Sequence, residues 1–248
     1  LVGSEMCIRD SVNTITPSGS TLTLGVSGDT IVATDDVKVN TVKDAGGNTL
    51  WVSDGSGSVS SVNSAFGGAR KLLSTQTASS SASISFTSGI DSTYKEYIFK
   101  FVNINPVTDD TDFMFATGTP TIDDGLSTIT STFFVSYHSE DGTQGALSYD
   151  GSKDLAQQDA YQGIMWSIGN GSDEAGSGEL HIFNPASTTY VKNWYSICNN
   201  YDEGNTTAGR TWNGLTAGYC NQAGAITEIR FKMSSGNMDG IIKMYGVL

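Results

Sequence analysis

From Arg70 onward, apolar and polar residues alternate with a period of two over most of the chain. In Tyr94–Val102, Tyr97, Phe99 and Phe101 fall on one side, and Tyr94, Glu96, Ile98, Lys100 and Val102 on the other. Ile129–Tyr137 repeats the pattern through Ile129, Phe133, Val135 and Tyr137, with Ser and Thr opposite. Successive side chains of a strand point to opposite faces, so each segment reads as a strand with one core face. Further strands are expected at Leu72–Thr77, Ala82–Phe86, Asp112–Ala116, Gly178–Phe183, Thr189–Ile197, Leu215–Cys220, Ile226–Met233 and Ile241–Val247. Only Asp154–Tyr161 has helical texture, and its length allows a turn or two. Roughly ten strands without strand–helix alternation predict an all-β head over 70–248, an antiparallel β-sandwich of jelly-roll type. The apolar closing stretch Gly240–Leu248 should lie inside a sheet, because a free hydrophobic edge invites aggregation.

Residues 12–69 follow different physics. Short alternating pieces, Thr21–Leu24, Thr30–Ala33, Val37–Val42 and Thr49–Val52, are separated by Pro17–Gly19, Gly25, Ser27–Asp29, Ala45–Asn48 and Asp54–Gly57, ordinary turn chemistry. So few large side chains bury too little surface to offset the entropy of ordering the backbone. The segment therefore reads as a short, extended, β-rich stalk that gains its core by association of identical chains, expected to be a homotrimer with contacts over Val12–Phe66. A Ser/Gly-rich disordered linker is the other reading. Asn63–Gly68 reads as the joint to the head. Leu1–Ser11 resembles a common sequencing adapter translated in frame, and is expected to be an artefact outside the fold.

Composition agrees with strands and narrows the partners. The chain has 29 Gly against 4 Pro and is 10% aromatic, as expected of many strands joined by Gly- and Asp-rich turns. Its formal net charge of −13 repels a phosphate backbone, and Lys and Arg form no cluster, so no nucleic-acid partner is expected. No apolar run approaches membrane-spanning length and no basic amphipathic helix is visible, so no membrane insertion is expected. Beyond Cys7 there are Cys198 and Cys220, which read either as a disulfide or as a buried and a surface thiol.

Aromatic residues carry the candidate binding chemistry. Trp212 reads as part of a polar loop with Tyr201, Asp202, Arg210 and Asn213; an indole there can stack on a sugar while Asn, Asp and Arg take its hydroxyls. Alternatively, Trp212 folds back to plug the end of the sandwich. Adjacent Trp194 and Tyr195 must point to opposite faces, one into the core and one outward, and Trp166 reads as core. Asp109, Asp110 and Asp112 are oxygen donors at spacing that could hold calcium, although the run lacks the Gly and distant Glu of an EF-hand and also reads as a solvated acidic turn. Asp123–Asp124 and Asp173–Glu174 read as exposed acidic loops. Otherwise no cofactor is expected. His138 and His181 have no ligand-spaced partners, no Gly-x-Ser-x-Gly elbow occurs and no carboxylate pair can be placed across a groove, so the chain is not expected to be an enzyme.

Several phrases carry a family likeness: Thr14–Gly25 with Ser27–Ile31, Glu179–Pro185 with Thr188–Lys192, Ile229–Asn237, and Ile241–Gly246. In these the chain resembles C-terminal regions of tail-fibre or other appendage proteins of tailed bacteriophages, including those of marine viral samples. The resemblance implies a trimeric virion protein whose distal domain attaches to a host-surface glycan or envelope protein and whose other contacts are virion tail proteins. The stalk holds one Leu-Gly-x-Ser-Gly-Asp-Thr-Ile unit rather than a long array. That departure keeps open a structural capsid-decoration or baseplate role, and a polysaccharide-cleaving spike stands further off.

Overall fold

The computed structural model describes residues 39–62, 70–118, 122–123, 125–202 and 208–247, and every regular element among them is a β-strand. They belong to two compact units, Leu1–Asn63 and Ser64–Leu248.

In the first unit, β1 (Thr41–Lys43), β2 (Thr49–Ser53) and β3 (Val59–Val62) form an antiparallel three-stranded sheet. Its turns are built by aspartates at the two places where turns were expected. Asp44 Oδ1 accepts the Asn48 amide at 2.8 Å, and Asp54 Oδ1 accepts the amides of Ser56 and Ser58 at 2.8 and 3.0 Å. Val42, Leu50, Trp51 and Val52 are only half-buried, in keeping with a segment poor in core-forming side chains. The expected strands at 21–24 and 30–33, the joint at 63–68 and the first eleven residues lie outside the described residues.

The second unit is an antiparallel two-sheet sandwich. Its strands are β4 (Arg70–Ser81), β5 (Ile84–Phe86), β6 (Glu96–Pro106), β7 (Thr111–Gly118), β8 (Ile129–Ser139), β9 (Gly145–Tyr149), β10 (Ala156–Gln158), β11 (Gln162–Ile168), β12 (Gly176–Phe183), β13 (Lys192–Asp202), β14 (Arg210–Cys220), β15 (Glu228–Met233) and β16 (Met238–Val247). A nine-stranded sheet runs β10-β8-β14-β13-β12-β6-β16-β4, with β9 also on β8, and a four-stranded sheet runs β11-β7-β15-β5. The chain passes between sheets from β4 through β8. However, β12, β13 and β14 form a meander and the sheets are unequal, which departs from an eight-stranded jelly roll. The sandwich expectation holds at the level of two packed antiparallel sheets.

The predicted alternation forms the core. Tyr97, Phe99 and Phe101 of β6 are buried, as are Ile129, Phe133 and Val135 of β8. Phe231 of β15 sits among Phe99, Phe101 and Phe113, with ring centroids 5.4, 5.2 and 5.7 Å away, and so joins the two sheets. Each buried Phe contributes about 1.5–3 kcal/mol of apolar burial. The closing strand β16 lies between β6 and β4, inside the large sheet as expected.

Asp154–Tyr161 is not helical. Within it β10 pairs with β8, and Gln157 takes φ 55° while its amide nitrogens, backbone and side chain, donate to Thr130 Oγ1 at 3.2 and 2.5 Å. A segment too short to nucleate a helix thus finds its partners on a neighbouring strand. Strands β9 and β11 were also unforeseen. β9 is exposed along its length, and register shifts after Gly163 and Met165 break the period of two in β11.

Candidate functional site

One face of the large sheet packs on the small sheet, and the other carries an apolar surface of its own. Because side chains alternate, the residues between the core positions of β13, β14 and β8 come together on this outer face, beside the exposed strand β9. Ile197 is paired with Leu215, Leu215 with Phe134, and Phe134 with Tyr149. These four form one row across four strands, and Leu147, two residues before Tyr149, lies beside it at 78% exposure. All five are exposed large hydrophobics, and the Phe134 and Tyr149 rings meet edge to face at 5.4 Å. Single exposed apolar residues are ordinary, whereas a contiguous row is a candidate interaction surface.

Phe134, Ser136, Leu147, Asn213 and Leu215 line a shallow cavity of about 400 Å³ on this face. Asn213 is paired with Ser136 across β14 and β8, and Ser136 with Leu147 across β8 and β9. The Asn213 amide and Ser136 hydroxyl make no side-chain hydrogen bond among the described residues, so both remain available to a ligand. Apolar walls with a few free polar groups are the usual composition of a small-molecule or sugar site.

Further along the same row the chemistry becomes ionic. Ile197 is paired with Glu179, Glu179 with Lys100, and Lys100 with Lys243. Lys100 Nζ is 3.3 Å from Glu179 Oε2. In the next row His181 is 3% exposed despite facing outward, because its ring stacks on Tyr195 at 4.4 Å and two glutamates flank it. Its Nδ1 lies 2.5 Å from Glu96 Oε1, and its Nε2 lies 3.1 Å from Glu179 Oε1 without the angles of a hydrogen bond. Partial burial pushes the Glu179 carboxyl up, but His181 and Lys100 together outweigh it and hold the group below its ordinary value.

The residues expected to bind a ligand sit on both strands of the β13–β14 hairpin, some buried and some exposed. Trp212 is in β14 rather than a loop and is 7% exposed, so it offers no open face for a sugar. It packs between Tyr137 and Trp166, with centroids 4.7 and 4.8 Å away, which is the alternative reading of a ring plugging the sandwich. Trp166 is half-buried in this satellite cluster, beneath Lys153 Nζ at 5.0 Å. Asp202 is buried and Arg210 lies over the Tyr137 ring at 5.9 Å. A Cβ added at Gly209 would collide with the Tyr201 ring, which therefore covers that glycine. Of the five, only Asn213 lines the cavity. Residues 203–207 of the expected contact loop lie outside the described residues. Trp194 is core and Tyr195 faces outward, as adjacent strand positions require.

The aspartates expected to suit calcium each take protein donors. Asp112 accepts Lys153 Nζ at 2.8 Å and the Ser167 amide at 3.2 Å, Asp109 accepts the Asn170 amide at 3.2 Å, and Asp110 accepts the Ser167 hydroxyl. Ser167 Oγ is also 3.5 Å from Asp202 Oδ2, so the two predicted groups meet at one serine. No group of three or more His, Cys, Asp or Glu among the described residues is arranged to hold a metal. Cys198 and Cys220 are both free and both buried, which corrects both thiol readings. Cys198 is opposite Gly214 and Cys220 opposite Lys192, far apart along one strand pair. Glu174 is buried, not an exposed loop acid, and accepts the Gly171 amide at 2.5 Å.

Phe134, Leu147, Tyr149, Ile197 and Leu215 were not identified as a site. Each looks unremarkable in its own strand, and only sheet register makes the row. Comparison with protein-family models, with curated proteins and with solved structures gives no match.

Proposed function

We propose that this protein is a non-enzymatic recognition module of a virion appendage, which attaches to a host-surface glycan through the outer face of its large sheet. The exposed row Ile197–Leu215–Phe134–Tyr149 beside free Asn213 and Ser136 carries the reading. The apolar face of a sugar ring stacks on aromatic and aliphatic side chains while amide and hydroxyl groups take its hydroxyls. The viral assignment rests on the resemblance in the stalk and late-strand phrases, and the homotrimer on the small apolar content of the first segment. The same row would also suit a protein neighbour in a purely structural virion role.

A glycan array and a whole-cell binding assay with wild type, Phe134→Ala and Leu215→Ser test the proposal. Both substituted side chains are exposed, so the variants should keep the melting temperature of the wild type. Binding should fall by the ~2 kcal/mol or more of a hot-spot residue, roughly thirtyfold. Wild type that binds no glycan or cell surface would overturn attachment and leave the structural role.

A further inference from the structure

We infer that the ligand is an anionic polysaccharide, its carboxylate or sulfate groups held by Lys243 and Lys100 while its neighbouring sugars lie on the apolar row; this rests on the recognition reading above. Lys243 and Lys100 are register partners on β16 and β6, and both face outward, since Ile242, Met244, Phe99 and Phe101 face the core. Like charges directly opposite on neighbouring strands repel. Lys100 has Glu179 on its other side, whereas Lys243 has no ion-pair partner among the described residues. Its other register neighbour is the exposed, uncharged Thr75 on β4. An anion seated between the two ammonium groups relieves the repulsion, which among the described residues only Glu179, on the far side of Lys100, offsets.

The surroundings select the class of anion. Ile241, paired with Val102, borders the lysines on one side, and Tyr245, paired with Ile98, borders them on the other. A charged group attached to an apolar ring face matches this setting better than a free inorganic ion. From β6 to β14 there are three strand steps, about 14 Å at the usual spacing, so one ligand reaching both lysines and cavity must be longer than a single sugar ring. The net charge of −13 opposes an acidic polymer at long range, but salt screens charges beyond about 8 Å at physiological ionic strength, and the lysine pair then sets the local preference. Glu179 lies between the two halves of the row and works against an anion.

The test uses the full chain and three probes of matched length, a carboxylated polyuronate, a sulfated galactan and an uncharged glucan, at low and high salt. Expected is tighter binding of one or both acidic polymers than of the glucan, weakening with salt. Lys243→Gln should weaken acidic-polymer binding roughly three- to fivefold, and Lys100→Gln with Lys243→Gln about tenfold, from the usual strength of exposed charge pairs. Glu179→Gln should tighten it roughly twofold to threefold, a gain that a general lesion in the fold does not produce. Preference between the two acidic probes identifies the anion. If the glucan binds as well as the acidic polymers and Lys243→Gln changes nothing while Phe134→Ala abolishes binding, the anionic inference is wrong and glycan recognition stands. If the wild type binds none of the three and no other glycan on the array, both fall.

Discussion

The indole nitrogen of Trp212 donates to Oδ2 of Asp202 at 3.4 Å, across the β13–β14 hairpin and inside the protein. The bond uses the polar edge of a ring whose faces are already taken by Tyr137 and Trp166. Trp212 is therefore placed to stabilise the fold. Trp212→Ala should cost about 3–5 kcal/mol, the usual range for emptying a buried aromatic site, measured by urea denaturation. Ligand affinity per folded molecule should be unchanged. A stable Trp212→Ala protein that has lost binding would restore the ring to the site.

The buried thiols provide a second check. Burial pushes Cys198 up to about 12 and Cys220 up to about 11, and the thiolate is the reactive form. Neither should be alkylated at pH 8 in the native protein, both should react once it is unfolded, and reducing agent should leave the unfolding midpoint unchanged. Rapid native labelling of either would contradict its burial.

Strand periodicity was legible wherever one face is buried and the other is not. Tyr97, Phe99 and Phe101 could be assigned to the core from β6 alone, and Trp194 could be separated from Tyr195. The sequence could not decide between a loop Trp212 and one plugging the sandwich, because its inward-facing companions on β14, Gly214, Thr216 and Gly218, are too small or too polar to reveal a buried face. The candidate site was illegible for a different reason. Leu215 and Phe134 are 81 positions apart in sequence and adjacent only through antiparallel register, which no local pattern encodes.

Acid should weaken the outer-face charge cluster. Glu179 has a folded value below its ordinary one, so its contribution to stability is fully present above the unfolded value near 4.5 and is lost as pH falls through the folded value. Urea midpoints of wild type and Glu179→Gln should differ at pH 7 and converge as pH falls through the lowered folded value, below which the wild-type carboxylate is protonated too. A difference that does not shrink anywhere on the acid side of pH 4.5 would mean that the Glu179 charge contributes nothing.

Gly218 tests how closely β14 approaches its neighbours. A Cβ there would lie 2.3 Å from the Thr130 carbonyl oxygen and 2.9 Å from both Ser131 Cα and Trp194 Cζ2. Two of these atoms belong to the backbone of β8 and cannot rotate away, so the strand itself must shift. Gly218→Ala should destabilise by about 1–3 kcal/mol, as overpacking does. Gly163 in β11 is the matched control, because a Cβ there meets nothing within 4 Å. Gly163→Ala should be neutral or stabilise by up to about 1 kcal/mol, since Ala restricts the unfolded chain. Equal effects at the two positions would show that backbone entropy, rather than the contact with Thr130 and Trp194, decides the cost at Gly218.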